Sequence, residues 1–111
     1  MPHCIIEHSA NIDGNALVSL VYKGALKSNL FEAKGSDIKV RALSYSNYQT
    51  GSVDIGFVHV TLKILSGRNI EKKAMLSQSV LEQLKTLSIF NCSISVEVVD
   101  IDRASYAKVV M

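Results

Sequence analysis

The sequence predicts an α+β fold in which two β-α-β halves form one four-stranded mixed sheet with two helices on one face. The length supports one domain, because 111 residues lies within the usual size of a single domain. Strand and helix patterns occur twice in the same order, and matching elements begin about 55 residues apart, which indicates an internal duplication. We therefore expect a single domain over residues 1–111, with halves at about 2–45 and 57–101 and a C-terminal tail.

The first strand and the first helix are predicted over residues 2–8 and about 13–30. Two adjacent isoleucines in the strand segment favour a pleated sheet. Residues 11–14 then supply turn and N-cap side chains. Apolar residues follow at the three- and four-residue spacing of one helix face, namely Leu17, Leu20, Val21 and Gly24, with Val18 and Ala25 beside them.

The second strand is predicted over residues 38–45, because its side chains alternate in character with a period of two. Ile38, Val40 and Ala42 fall on one face, and Lys39, Arg41, Leu43 and Tyr45 fall on the other. Two basic side chains therefore project from the same face of this strand. A turn-rich connection over residues 47–52 separates the two halves.

The second half repeats this order. The clearest strand is predicted over residues 58–64, where apolar residues alternate with polar ones. An amphipathic helix is predicted at about 69–89, followed by a last strand ending at Ile101 and a tail that packs on a neighbour. The strands within each half should be parallel. Because the helices cover one sheet face, we expect another copy of the chain to cover the other.

Composition excludes several classes of function. The net charge is +2 and the longest basic run is Lys72-Lys73, so nucleic-acid binding is not expected. No apolar run approaches the length of a membrane span, and we expect a cytoplasmic protein. Cys4 and Cys92 are expected to be small apolar residues in a reducing compartment. The cysteines and histidines lack metal-binding spacing, so no metal site is predicted.

Pro2, the only proline of the chain, is a candidate catalytic base. Removal of Met1 would leave a secondary amine at the start of the first strand. An α-amino group titrates at about 7.7–8.0, and burial or a nearby cation lowers its pKa. A general base works best with a pKa near the working pH. The alternative is an ordinary N-terminus, and a retained Met1 would make the nitrogen a non-basic amide.

Three basic residues are candidate ligands for an acidic substrate. Arg68 lies where the clearest strand meets the second helix, so its guanidinium and the helix N-terminus could bind a carboxylate together. The alternative is a solvated or ion-paired surface arginine. Lys39 and Arg41 project together from one strand, where they could also simply protect a sheet edge. Cations near Pro2 would bind an acidic substrate and keep the prolyl amine neutral.

The chain resembles the tautomerase superfamily, and within it the 5-carboxymethyl-2-hydroxymuconate isomerase family. The resemblance rests on residues 2–7 (PHCIIE), residues 57–64 (FVHVTLKI) and Gly67-Arg68. It implies a homotrimer without a cofactor, in which Pro2 is the base after Met1 removal and Arg68 binds a carboxylate of a small unsaturated dienol acid. The second cationic position falls at Lys39 or Arg41, and Arg41 is preferred because a guanidinium suits a carboxylate better.

Two alternatives to this isomerase remain at the level of sequence. Relatives in the superfamily catalyse hydration, dehalogenation or decarboxylation, with a protonated proline acting as an acid. The scaffold could also form a non-catalytic trimer that binds an acidic ligand, because function depends on the site and not on the fold.

Overall fold

The computed structural model describes residues 1–52 and 54–111. These residues form the strands and helices that the sequence predicts, in the same order. Their bounds are β1 (His3–Ser9), α1 (Gly14–Lys27), β2 (Lys39–Tyr45), β3 (Gly56–Leu65), α2 (Ile70–Leu84) and β4 (Cys92–Ile101). A short 3₁₀ turn at Arg103–Ser105 begins the C-terminal tail.

The strands form a mixed sheet in the order β2-β1-β3-β4. β1 is parallel to β2, β3 is parallel to β4, and the central pair β1 and β3 is antiparallel. The sheet with its two helices confirms the predicted fold class.

Strand direction brings three separate parts of the chain to one edge of the sheet. His3 lies opposite Lys39 of β2 and opposite Lys63 of β3. The start of β1, the start of β2 and the end of β3 are therefore neighbours. Pro2, the α1–β2 connection (residues 28–38) and the β3–α2 connection (residues 66–69) meet at this edge.

The helices cover only one face of the sheet, and the core lies between them. Even-numbered positions of β1 and β3 point toward the helices, and the buried apolar residues form one cluster, which includes Cys4, Ile6, Val58, Val60, Leu62, Leu17, Val21, Leu76, Val80 and Leu84. Odd-numbered positions point to the other face, here called the open face. The open face includes His3, Glu7, Arg41, Leu43, His59, Thr61 and Glu97.

Both helices end earlier than their apolar spacing predicts. α1 ends at Lys27 and not near residue 30, because the Ser28 hydroxyl donates to the Ala25 carbonyl at 2.6 Å and Asn29 has a φ of 59°. α2 ends at Leu84 and not near residue 89. Just after this end, the Thr86 hydroxyl donates to the Gln83 carbonyl at 2.7 Å. Such local bonds between side chain and backbone compete with helix propagation.

Candidate active site

Pro2 is fixed at the sheet edge immediately before β1. Its side chain is less than 2% exposed, and its carbonyl accepts a hydrogen bond from the Lys39 backbone N–H at 3.1 Å. Pro2 is two residues before Cys4 and continues the alternation of β1, so its buried ring lies on the helix-covered side, as Cys4 and Ile6 do. Burial and the backbone bond hold the Pro2 nitrogen in one place.

The amine of Met1 lies in a partly buried environment that contains one carboxylate and two lysines. Its nitrogen donates to the Asp37 carbonyl at 2.7 Å and is 3.6 Å from Asp37 Oδ2. Burial lowers the pKa of this amine below its ordinary value; Asp37 acts in the opposite direction, and the charges of Lys108 and Lys39 lower the pKa further. An amine at this edge is therefore biased toward its neutral form.

Asp37 has one satisfied and one unsatisfied carboxylate oxygen. Oδ2 accepts a long hydrogen bond from the Glu32 backbone N–H at 3.4 Å. Oδ1 is buried and has no hydrogen-bond partner. A buried polar atom without a partner is unusual in a folded protein and needs an explanation.

Arg68 lies at the same edge, directly before Asn69, the N-cap of α2. Its Nη2 donates to the Leu30 carbonyl at 2.6 Å, and its Cζ is 5.8 Å from the centre of the Phe31 ring. Its Nε is buried without a hydrogen-bond partner. Arg68 is thus held by the α1–β2 connection, and its buried Nε–H is a charged donor without an acceptor.

Lys39 and Arg41 are exposed on the open face, as the alternation of β2 predicts. Arg41 Nη1 lies 3.2 Å from His3 Nδ1, and the Tyr106 hydroxyl lies 3.1 Å from His3 Nε2. Because an arginine can only donate, His3 accepts at Nδ1 and carries its proton on Nε2. Burial lowers the pKa of His3, and Arg41, Lys39, the N-terminus and Lys63 lower it further.

The candidate residues differ in how close they lie to Pro2. Lys39 is joined to Pro2 through the backbone, and Arg68 follows the end of β3 at the same edge. Arg41 lies two residues farther along β2, opposite Ile5, and its described contact is to His3. The positions thus place Lys39 beside the N-terminus and Arg41 beside His3.

Three residues at this edge escaped the reasoning from sequence: Asp37, Tyr106 and Lys108. Asp37 had a usable signal, because it lies just before a strand that was expected to be parallel to β1, and parallel strands begin at the same edge. Tyr106 and Lys108 had none, since nothing in the pattern of an irregular tail specifies where it returns to the sheet.

Other reactive groups do not fit a role in chemistry. Burial raises the pKa of the Cys4 thiol to about 12, so Cys4 stays protonated and serves as a packing residue. Burial also raises the pKa of Cys92. Within residues 1–52 and 54–111, no three metal-ligating side chains cluster. No helix in that part of the chain is long and apolar enough to cross a membrane.

Comparison with known proteins identifies a family that matches most of the chain. A family model described as 5-carboxymethyl-2-hydroxymuconate isomerase matches residues 2–109. The chain is 31% identical over 90 residues to a 5-carboxymethyl-2-hydroxymuconate Delta-isomerase of Escherichia coli, covering 78% of this chain and 71% of that protein.

Solved structures with the same fold include a 5-carboxymethyl-2-hydroxymuconate isomerase from Deinococcus radiodurans R1, which is 24% identical with a TM-score of 0.76 over 96% of this chain and 87% of that one. A second structure, described as "Q0 fused 4-OT wild type symmetric trimer", is 14% identical with a TM-score of 0.75 over 96% of this chain and 90% of that one. At these identities the two structures establish the fold alone.

Proposed function

Since the chain belongs to the 5-carboxymethyl-2-hydroxymuconate isomerase family and is an isomerase, we propose that it converts a small unsaturated dienol carrying carboxylates into its keto isomer. The proposed substrate class is that of 5-carboxymethyl-2-hydroxymuconate, after the names of its relatives. Pro2 is the proposed proton-transfer base, and no cofactor takes part.

The proposed reaction moves one proton within the substrate. The neutral Pro2 amine removes the proton of the enol hydroxyl, and negative charge spreads along the conjugated chain as the carbonyl forms. The protonated amine then returns the proton to a carbon farther along the chain, which shifts the double bond. Because one proton leaves and one returns, the reaction is a net isomerisation, and Pro2 ends as a neutral amine.

The observation that carries this proposal is the environment of the N-terminus. The Met1 amine is partly buried there, and its pKa is lowered by burial and by Lys108 and Lys39 against the opposing effect of Asp37. A Pro2 amine in the same environment would have its pKa lowered for the same reasons, which favours the neutral form needed in a base. Met1 must be removed for this chemistry, because an amide nitrogen is not basic.

The basic residues are proposed to bind the substrate's carboxylates. Arg68 offers a buried Nε–H that lacks a partner, and a carboxylate there would satisfy it with a charge-assisted hydrogen bond. Lys39 or Arg41 is the proposed second ligand. Positive groups fixed near the conjugated chain also stabilise the negative charge that develops in the transition state.

We propose further that the protein is a cytoplasmic homotrimer. The helices leave the open face of the sheet without a cover from the same chain, and a second copy is the simplest cover. A structural neighbour of the same fold is a symmetric trimer.

Removal of Met1 and exchange of Pro2 test the proposed base. We expect the intact mass of untagged protein to lack one methionine, and this protein to ketonise a dienol substrate in a spectroscopic assay. Pro2→Ala should retain the fold and assembly but lose most of the turnover. For the unmodified protein, kcat/KM should fall as pH falls through the amine pKa, because protonation removes the base.

Three results would count against this function. A mass that retains Met1 would leave no prolyl base. Near wild-type turnover of Pro2→Ala would reject Pro2 as the base. Loss of activity with rising pH would instead indicate that a protonated proline acts as an acid, which is the chemistry of the hydratase and decarboxylase alternative.

A further inference from the structure

Asp37 is an acidic residue at a cationic sheet edge, and its carboxylate is incompletely bonded. Oδ1 is buried without a partner, and the ammonium that faces Oδ2 is that of Met1, at 3.6 Å. The proposed removal of Met1 takes this ammonium away. The carboxylate would then face a new amine, that of Pro2.

The Pro2 nitrogen is one residue away from the amine that contacts Asp37. Standard bond lengths place consecutive backbone nitrogens no more than about 3.7 Å apart. Since the Met1 nitrogen is 2.7 Å from the Asp37 carbonyl oxygen and 3.6 Å from Asp37 Oδ2, the Pro2 nitrogen lies no more than about 6.4 Å from the first atom and about 7.3 Å from the second. The backbone bond from Lys39 to the Pro2 carbonyl fixes that position independently of Met1.

We propose that Asp37 is a positioning residue for the Pro2 amine. After Met1 is removed, the Asp37 carboxylate accepts a hydrogen bond from the Pro2 N–H and so orients the nitrogen lone pair toward the substrate. This inference rests on the proposed function.

The geometry of a secondary amine explains what Asp37 achieves. Neutral proline has one N–H and one lone pair. If the N–H points at Asp37, the lone pair points away from it and can accept the proton of the enol. The new N–H is then the one that returns its proton to carbon, while the bond to Asp37 persists. Asp37 thus keeps one proton on the nitrogen through its hydrogen bond, and only the proton taken from the enol is transferred to carbon.

Asp37 also opposes the other charges around the amine. The groups that face the N-terminus come from the α1–β2 connection, from β1 and β2 and from the tail; they are Asp37, Lys39, Lys108, His3 and Cys4. Lys63 of β3 acts on His3. A negative charge within a few ångströms of an amine favours the charged form, so Asp37 offsets the lysines.

Titration of the Pro2 amine tests this inference directly. Pro2 is the only proline, so ¹⁵N-proline labelling gives a single signal. We expect Asp37→Asn to lower the amine pKa by about one unit and to move the acidic limb of kcat/KM to lower pH by the same amount. Lys108→Met should move both quantities upward by a smaller amount, because it removes a cation.

Asp54→Asn is the matched control. Asp54 is exposed, lies in the loop before β3 at the opposite sheet edge, and has a φ of 64°, which asparagine tolerates. We expect it to change neither the amine titration nor the pH profile.

The Asp37→Ala variant tests the hydrogen bond itself. Its kcat should be about tenfold below that of Asp37→Asn, since alanine cannot accept a hydrogen bond from the Pro2 N–H.

The outcomes separate this inference from the proposed function. If Asp37→Asn titrates like Asp54→Asn while Pro2→Ala is inactive, the role of Asp37 is wrong and the base stands. Equal kcat for the Asn and Ala variants would also reject a positioning role. If Pro2→Ala keeps its activity, the proposed function fails, while the titration still reports whether Asp37 holds the amine. Thermal melting of each variant shows whether it is folded.

Discussion

At the scale of single residues, the buried Nε of Arg68 is the clearest sign of an absent partner. A buried N–H without an acceptor costs about 1–3 kcal/mol, and more when the group is charged. The Nε of Arg68 has no acceptor, although the rest of the side chain is fixed against Leu30 and Phe31. A guanidinium so held is preorganised, because little side-chain freedom remains to be lost when a carboxylate binds.

Arg68→Ala should therefore weaken substrate binding. Hydrogen bonds to charged groups contribute about 1.5–3 kcal/mol, so we expect kcat/KM to fall by about 10- to 150-fold, mainly through KM. Arg68→Lys keeps the positive charge but cannot form the two parallel hydrogen bonds of a guanidinium, so the fall in kcat/KM should be smaller than for Arg68→Ala. Steady-state kinetics would measure both variants, with Lys72→Ala on the exposed side of α2 as the control. A KM that stays at the control value for Arg68→Ala would show that Arg68 has only a structural role.

At the scale of secondary structure, the contact between α1 and α2 depends on Gly24. A Cβ built at this position would lie 2.7 Å from Val80 Cα and 3.0 Å from the Ser79 carbonyl oxygen. The Ser79 hydroxyl also donates to the Gly24 carbonyl at 2.8 Å. The helices therefore meet backbone to backbone, and no flexible side chain lies between them that could yield to a larger residue.

Gly24→Ala should destabilise the protein although alanine favours helices. The propensity gain is about 1 kcal/mol, but a methyl group against backbone atoms forces the helices apart, and such overpacking costs about 1–3 kcal/mol or more. We expect a net loss of about 1–2 kcal/mol in urea unfolding at a fixed protein concentration. Ser19→Ala, exposed on the same helix, is the control and should be neutral or slightly stabilising. A stabilised Gly24→Ala variant would mean that the helices can separate at little cost.

At the scale of the whole molecule, the open face of the sheet is a surface that the two helices do not cover. It combines exposed apolar residues such as Leu43, which is 56% exposed, with side chains that satisfy one another. His59 contacts Glu97 Oε2 at 2.6 Å and Ser95 Oγ at 2.7 Å, and the Tyr45 hydroxyl donates to Glu7. A face whose polar groups are already paired loses little when a second copy buries it.

Assembly through this face predicts a trimer that a single charge can disrupt. We expect native mass spectrometry to show a trimer for the unmodified protein and mostly monomer for Leu43→Glu, since a buried unpaired carboxylate is costly. Met75→Glu is the matched control on the outer surface of α2, where Met75 is 47% exposed, and it should remain trimeric. A trimer that survives Leu43→Glu would place the interface elsewhere, and a monomeric unmodified protein would reject the assembly.

The sequence was sufficient for the elements and their faces, because hydrophobic period is a local property. Alternation in residues 58–64 correctly separated buried from more exposed positions, as did the spacing of Leu17 and Val21. In residues 38–45 it predicted the two faces, but Ala42 is exposed and Tyr45 is half-buried. It was insufficient for helix ends, where the Ser28 and Thr86 hydroxyls compete for backbone carbonyls. The duplication of the two halves and the role of each site residue stay predictions.

The sequence by itself thus determined the fold class, the family and the candidates Pro2 and Arg68. Only the tertiary structure decided which other residues surround the N-terminus. Asp37 and Lys108 are distant from Pro2 along the chain, and they approach it because β2 runs parallel to β1 and because the tail returns to the start of the sheet. Contacts of this kind depend on strand direction and register, and the local pattern of a single segment specifies neither.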